Sequence, residues 1–144
     1  MKSAFMKLAI ASIALALVLA TLPGQASAQS EASPAQKRVD VEAVQGVLAV
    51  RSLDGWLLTD AKGKNSIAVE LVVPEAPTTR QWFYFIPSFG QPSILVHKSE
   101  MSAFENVPGT KIEYSGYRDL KSGLRTLLGS ASNIAMEYAP KSGI

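Results

Sequence analysis

The sequence has no cysteine and a single histidine, His97, among its 144 residues. Without cysteine no disulfide can form and no N-terminal cysteine can carry a lipid, so an apolar core must hold the fold together. Zinc sites usually need several cysteine or histidine ligands, which this chain does not offer. Gly-rich phosphate loops and the Gly-x-Ser-x-Gly element of many hydrolases are also missing. The sequence therefore predicts no metal and no cofactor.

Few residues are candidates for catalysis. His97 is the only histidine that could act as a base, and the sequence indicates no positioned partner for it, so we interpret it as an ordinary residue at a strand end. After Asp60, Lys62 occupies a position where a calcium loop would place an oxygen ligand. The acids available to a glycoside hydrolase are scattered and form no evident pair: Asp54, Asp60, Glu70 and Glu113. No catalytic residue is predicted.

The chain has only a small excess of positive charge. It contains 14 basic and 12 acidic residues, for a net charge of +2. Lys2 and Lys7 account for that excess, since residues 1–28 hold no acid and no other base. The remainder is neutral, which gives no basic face for nucleic acid and no polybasic patch for a membrane surface. We expect no nucleic-acid partner.

Residues 1–28 have the pattern of a secretory signal peptide. Lys2 and Lys7 form the basic start, residues 8–22 are almost entirely apolar, and Ala26-Ser27-Ala28 supplies small residues for cleavage. The apolar run is shorter than the ~20 residues of a membrane-spanning helix. We therefore expect cleavage after Ala28 and a soluble, periplasmic or secreted product with no stable membrane anchor.

The sequence after residue 28 predicts a short lead-in segment followed by one domain. Residues 29–38 are small, polar and proline-containing, which is typical of a disordered segment. Residues 39–140 form the predicted single β-rich domain. Its clearest strand follows the Pro108-Gly109 turn, because apolar and polar residues alternate over residues 111–115. Gly116 then interrupts the alternation and indicates a bulge.

Further strands are predicted on both sides of that segment. Valine-rich alternating stretches around an Asp54-Gly55 turn predict a three-stranded meander over residues 41–73. Residues 81–86 hold four aromatics and are typical of a strand. Residues 93–97 predict a short strand, and residues 99–105 predict one or two helical turns with Ser99 as the N-cap.

The tail fits two interpretations. An apolar stripe over residues 124–138 has helical spacing. However, Gly129, Ser130 and Asn133 are poor helix residues, which favours two strands joined by a turn at residues 129–133. We also interpret residues 120–123 as a turn.

The order of these features resembles that of small exported OB-fold proteins. The resemblance is carried by a glycine in the first strand, an aspartate ending the second, glycine turns and a glycine within the fourth strand: Gly46, Asp60, Gly63, Gly109 and Gly116. It implies a mainly β fold, a small OB-like barrel of about five to six strands with one short helix. Residues 74–105 are longer than the plain third-to-fourth connection of that family. The resemblance implies no functional residue, because a fold does not fix a function.

One group of residues suggests a binding site. Trp82 and Tyr84 share one face of their predicted strand by period two, and Arg80 precedes them. Tyr117 and Arg118 lie at the end of the strand that follows the Pro108-Gly109 turn. Exposed aromatics beside arginines bind sugars, peptides or partner proteins. The competing interpretation is that another segment covers the two strand aromatics, which would then belong to the core.

We therefore expect an exported binding or interaction module for an unknown glycan, peptide or envelope protein. One alternative is a small secreted or periplasmic hydrolase, which would need His97 within hydrogen-bond reach of a serine and an acid. Another is an inhibitor of an envelope enzyme that inserts a loop such as residues 87–92 into the enzyme's site.

Overall fold

The computed structural model describes residues 38–137, which lie within one compact unit of the chain. The predicted signal peptide, its cleavage site, nearly all of the predicted lead-in and residues 138–144 lie outside the described residues. Between residues 38 and 137, no helix is long and apolar enough to cross a membrane.

Helices and strands alternate along most of this part of the chain. In order, the elements are α1 (Val41–Val50), β1 (Gly55–Asp60), α2 (Ser66–Val72), β2 (Trp82–Pro87), β3 (Ser93–His97), a 3-10 helix (Lys98–Phe104), β4 (Thr110–Tyr114), α3 (Tyr117–Leu128) and β5 (Ile134–Met136). The strands form one five-stranded sheet in the order β4-β3-β2-β1-β5. β2 is antiparallel to β1 and β3, whereas β4 is parallel to β3 and β5 is parallel to β1.

The prediction of a mainly β, OB-like barrel is wrong. A barrel closes its sheet and leaves no edges, but here β4 and β5 are the two edges of an open mixed sheet. Of the three strands predicted over residues 41–73, only β1 is a strand, and helices lie on both sides of it in the chain. The chain therefore has an α/β fold.

Capping side chains explain why these valine-rich stretches are helical. Asp40 caps α1 and accepts a hydrogen bond from the backbone N–H of Ala43. Asn65 caps α2 in the same way and accepts from the N–H of Ala68. An N-cap offsets part of the cost of starting a helix. Valine alternation alone therefore did not decide the conformation of residues 41–73.

Asp54 links the α1–β1 loop to the loop before β5 by hydrogen bonds and does not begin the predicted hairpin. Its carboxylate accepts hydrogen bonds from the backbone N–H groups of Ser132 and Asn133, both at 2.8 Å. These bonds lower the pKa of Asp54 below its ordinary value, and the bond from Asn133 has the larger effect. The contact fixes the loop before β5 against the start of β1 and so supports the pairing of β5 with β1.

The segment predicted as a turn at residues 120–123 and a strand at residues 124–128 is α3 instead. Gly123 lies within the helix and faces β3, where an added Cβ would come within 2.5 Å of Leu95 Cδ1. The glycine thus lowers helix propensity but allows α3 to approach the sheet closely. Gly116, predicted as a bulge, is the N-cap residue of this helix.

Helices cover both faces of the sheet, so there are two cores. On one face α1, α2 and the 3-10 helix pack over a cluster that includes Leu48, Leu58, Val72, Trp82, Tyr84, Ile86, Ile94, Val96 and Phe104. On the other face α3 packs over Leu57, Phe83, Phe85, Leu95, Tyr114 and Leu127. This three-layer arrangement explains why the central strand β2 carries bulky side chains on both faces.

Candidate functional site

The carboxyl ends of β1, β3, β4 and β5 lie at one edge of the sheet, because these strands run in the same direction. In open α/β sheets this edge is the usual place for a ligand. His97 ends β3 and Tyr114 ends β4, and the two residues are partners in the strand register. We call Arg80, His97, Ser99, Glu100 and Tyr114 the carboxyl-edge cluster.

His97 has a capping role in this cluster. Its Nδ1 lies 2.7 Å from Ser99 Oγ and accepts a hydrogen bond from the Ser99 backbone N–H at 3.3 Å. His97 is therefore the N-cap of the 3-10 helix, in place of the predicted Ser99. Among residues 38–137, no carboxylate hydrogen-bonds the imidazole. A serine–histidine pair without an orienting acid lacks the third member of a hydrolase triad.

The acid of the cluster, Glu100, accepts hydrogen bonds from the loop before β2. Its carboxylate accepts from the Thr79 hydroxyl at 2.6 Å and from the Thr79 and Arg80 backbone N–H groups at 2.8 and 3.1 Å. Partial burial acts to raise the pKa of Glu100, but these bonds and the nearby His97 together lower it. Burial, with Glu100 as a second cause, raises the pKa of Tyr114, which donates to the Gln81 carbonyl. These bonds tie Glu100 and Tyr114 to the segment before β2.

The sequence-predicted binding residues fall into two groups. Trp82 and Tyr84 are fully buried and form no exposed aromatic face. The burial supports the competing interpretation, in which another segment covers these two strand aromatics. Trp82 donates its indole N–H to Thr78 Oγ1 at 3.2 Å, and the Tyr84 hydroxyl donates to the Pro108 carbonyl at 3.2 Å. Burial raises the pKa of Tyr84 to about 12. Both rings are core residues, which corrects the binding role predicted for them.

Arg80, Tyr117 and Arg118 are exposed. Tyr117 and Arg118 begin α3 directly after β4, and Arg80 precedes β2, whose amino end lies at the same edge. The fold thus brings these three residues to the carboxyl edge of the sheet. Their binding role stays a prediction.

A second surface, on α1, was missed by the sequence analysis. α1 has only two polar residues, Glu42 and Gln45. One apolar stripe of the helix, centred on Leu48, is buried against the sheet. A second apolar stripe with i, i+3, i+4, i+7 spacing is exposed to solvent and consists of Ala43, Gly46, Val47 and Val50. We call it the outer stripe of α1.

The outer faces of α1 and α3 have opposite character. α3 exposes charged side chains, as is usual for a helix at a protein surface: Arg118, Asp119, Lys121 and Arg125. By contrast, Val47 of α1 is 59% exposed. An exposed apolar helix face of this kind is typical of an interaction site.

The outer stripe adjoins an apolar cleft of about 450 Å³ between α1 and the β5 edge of the sheet. We call it the α1–β5 cleft. It is lined by Ala43, Val44, Val47, Leu48, Arg51, Leu53, Trp56 and Ala135. Trp56 lies opposite Ala135 in the pairing of β1 with β5. Arg51, at the carboxyl end of α1, is the only charged residue of the lining within residues 38–137.

The two edge strands of the sheet, β4 and β5, differ in charge. The β4 edge exposes Lys111 and Glu113, and charged side chains protect an edge strand against pairing with another chain. The β5 edge consists of Ile134, Ala135 and Met136 and carries no charge. Within residues 38–137, no strand pairs with its outer side. The cleft is therefore bordered by an edge strand that has no charged side chain.

The described part of the chain offers no metal centre. No group of three or more histidine, cysteine, aspartate or glutamate side chains between residues 38 and 137 could hold an ion.

No protein-family model matches the sequence, and a comparison with curated proteins also finds no match. Solved structures do show a similar fold. The dipeptidase PepE from Mycobacterium ulcerans superposes with a TM-score of 0.53 at 16% identity, over 72% of this chain and 31% of the dipeptidase. The prolidase from Pyrococcus horikoshii OT3 superposes with a TM-score of 0.50 at 12% identity, over 72% of this chain and 27% of the prolidase.

These likenesses define the class of the fold. The chain has the α/β fold of part of two peptidases, and the match spans less than a third of either one. In the described residues this fold carries an apolar cleft beside the β5 edge of the sheet.

Proposed function

We propose that this protein is an exported, non-catalytic binding module that takes an apolar segment of a partner into the α1–β5 cleft. The observation that carries the proposal is the outer stripe of α1, an exposed apolar helix face beside an apolar cleft. Burying these side chains against a partner would release about 25 cal/mol for each Å² of apolar surface removed from water. The export component of the proposal is supported by the sequence pattern of residues 1–28.

The peptidase neighbours do not change this proposal. A dipeptidase and a prolidase share the fold of a part of their chains with this protein at 16% and 12% identity. The carboxyl-edge cluster has a serine beside His97, but Glu100 bonds to the loop before β2. We therefore propose no peptidase activity for the chain.

Selection of peptides from a random display library on the purified protein tests the proposed function. The expected result is enrichment of apolar sequences on the wild type and loss of that enrichment in Val47→Glu, because a charge would be introduced into the cleft. Ile67→Glu is the matched control, since Ile67 is 53% exposed and lies on α2, away from the cleft lining. Equal enrichment by both variants and the wild type would contradict the proposal.

The loop between β2 and β3 supports a second candidate, the inhibitor. Phe89 at its tip is 92% exposed. The side-chain amide of Gln45 donates to the carbonyls of Pro87 and Gly90 at 3.0 and 2.7 Å, which fixes the loop on α1. A fixed loop with an exposed aromatic suits insertion into another protein's pocket. Phe89→Ala should abolish partner binding in this case, whereas Val47→Glu should leave it intact.

A further inference from the structure

We propose that the occupant of the α1–β5 cleft is the carboxyl-terminal end of an extended peptide, which pairs with β5 and places its terminal carboxylate beside Arg51. This inference rests on the proposed function, because it names the partner class of the same cleft. Such a peptide requires three features of its binding site, and the described residues provide each of them.

The first requirement is a backbone edge. Within the described residues β5 pairs with β1 on one side, and its other side is the uncharged edge of the sheet. A peptide strand added there would lie ~4.8 Å from β5 and satisfy its outward N–H and C=O groups. An acyl chain could fill an apolar cleft but could not make these hydrogen bonds. The open edge therefore favours a peptide over a lipid.

The second requirement is a pocket for alternate side chains. Ala135 and its partner Trp56 face the α1 side of the sheet and line the cleft. A strand added beside β5 would direct every second side chain toward the same face. There Val47 and the Trp56 ring would contact it. The cleft thus selects apolar residues at alternate positions of the peptide.

The third requirement is a positive group at one end of the cleft. Arg51 is exposed and is the only charged residue among the described residues that line the cleft. The nearest acid along the chain, Asp54, is bonded to Ser132 and Asn133, and Glu42 lies at the opposite end of α1. A guanidinium binds a carboxylate through a charge-assisted, often bidentate pair. The site is therefore complementary to an anionic end group.

The position of Arg51 also sets the direction of the peptide. Arg51 ends α1 just before β1 begins, so it lies at the amino end of β1. β5 is parallel to β1 and therefore starts at the same end. A peptide whose carboxyl terminus reaches Arg51 must run antiparallel to β5. Because β5 has only three residues, its ladder is short, and a terminal ion pair would add to its stability.

The test compares an acetylated peptide of alternating valine and threonine that has a free carboxyl terminus with the same peptide amidated. Trp56 is the reporter, because it lines the cleft, while the second tryptophan, Trp82, is fully buried. Trp56→Phe should remove the fluorescence change. In the wild type, we expect the free acid to bind about tenfold more tightly than the amide, as charge-assisted hydrogen bonds allow.

Variants locate the carboxylate contact. Arg51→Gln should bring the affinities of the acid and the amide to the same value, whereas Arg125→Gln, an exposed arginine on α3, should keep the difference. Equal binding of the two peptides to the wild type that is lost in Val47→Glu would overturn the carboxylate contact but leave the proposed function standing. A preference for the acid that persists in Arg51→Gln would also overturn this inference. If neither peptide binds, the inference fails, and the display selection decides the proposed function separately.

Discussion

Trp56 of β1 lies directly opposite Ala135 of β5, and both residues line the α1–β5 cleft. They belong to the first and last strands of residues 38–137, and α3 connects β4 at one edge of the sheet with β5 at the other. The clamp of Asp54 on Ser132 and Asn133 holds this pairing in place. The candidate site therefore depends on the complete fold.

Trp82 should be essential for stability and not for binding. It is fully buried, and its ring packs edge-on against Phe104 at a centroid distance of 5.5 Å. We expect Trp82→Ala to lower the free energy of unfolding by about 3–5 kcal/mol through cavity formation. Denaturant melts measure this value. A loss below about 1 kcal/mol would show that the ring is exposed and would restore Trp82 as a binding residue.

Gly109 should not tolerate a side chain. Its φ is +109°, and an added Cβ would lie 2.2 Å from the carbonyl oxygen of Pro92. Gly90 is the matched control, because its φ is +97° and no atom lies within 4 Å of an added Cβ. Both alanine variants carry the backbone strain, but only Gly109→Ala adds a clash. In thermal or denaturant melts, we expect Gly109→Ala to be less stable than Gly90→Ala by about 1–3 kcal/mol.

Acid should destabilise the fold. Hydrogen bonds lower the pKa values of Asp54 and Asp119, whose ordinary value is 3.8. Hydrogen bonds also lower the pKa of Glu100 against the opposing effect of its burial. As the pH falls, the folded protein therefore binds fewer protons than the unfolded chain. The three carboxylates stabilise the fold above their ordinary pKa values, and this stabilisation is lost as the pH falls through their lowered pKa values. Melts as a function of pH should show this loss, and Asp54→Asn should have a weaker pH dependence. A stability that does not change on acidification would contradict the prediction.

Export should remove the first segment of the chain. Mass spectrometry of the protein recovered from outside the cytoplasm should show an N-terminus at Gln29, because Ala26 and Ala28 fit the pattern that signal peptidase recognises. Retention of residues 1–28 in that product would contradict the predicted cleavage.

Local patterns predicted part of the fold correctly. β3 covers the predicted residues 93–97, and β2 and β4 lie at the predicted aromatic and alternating segments. Valine-rich alternation misled the prediction for residues 41–73, because the caps Asp40 and Asn65 favour helices there. Gly123 misled it for α3, since the penalty for a glycine in a helix is offset by close packing on Leu95.

The candidate site was less predictable than the fold. The parity of Trp82 and Tyr84 was correct, but the sequence did not show that helices cover both faces of the sheet. The outer stripe of α1 has a sequence signal, since Ala43, Gly46, Val47 and Val50 have helical spacing. That signal became visible only once residues 41–50 were known to be helical. The pairing of β5 with β1 is a long-range contact that no local pattern encodes.

The most direct test of the binding-module account is an NMR titration of the ¹⁵N-labelled protein with the acetylated valine–threonine peptide. We predict saturable shifts at the amides of Val47 and Ala135 and at the Trp56 indole, with no change at the carboxyl edge of the sheet. Saturable shifts confined to the amides of Arg80, Tyr117 and Arg118 would contradict the account, whereas no shifts anywhere would overturn only the carboxyl-terminal peptide as the occupant of the cleft.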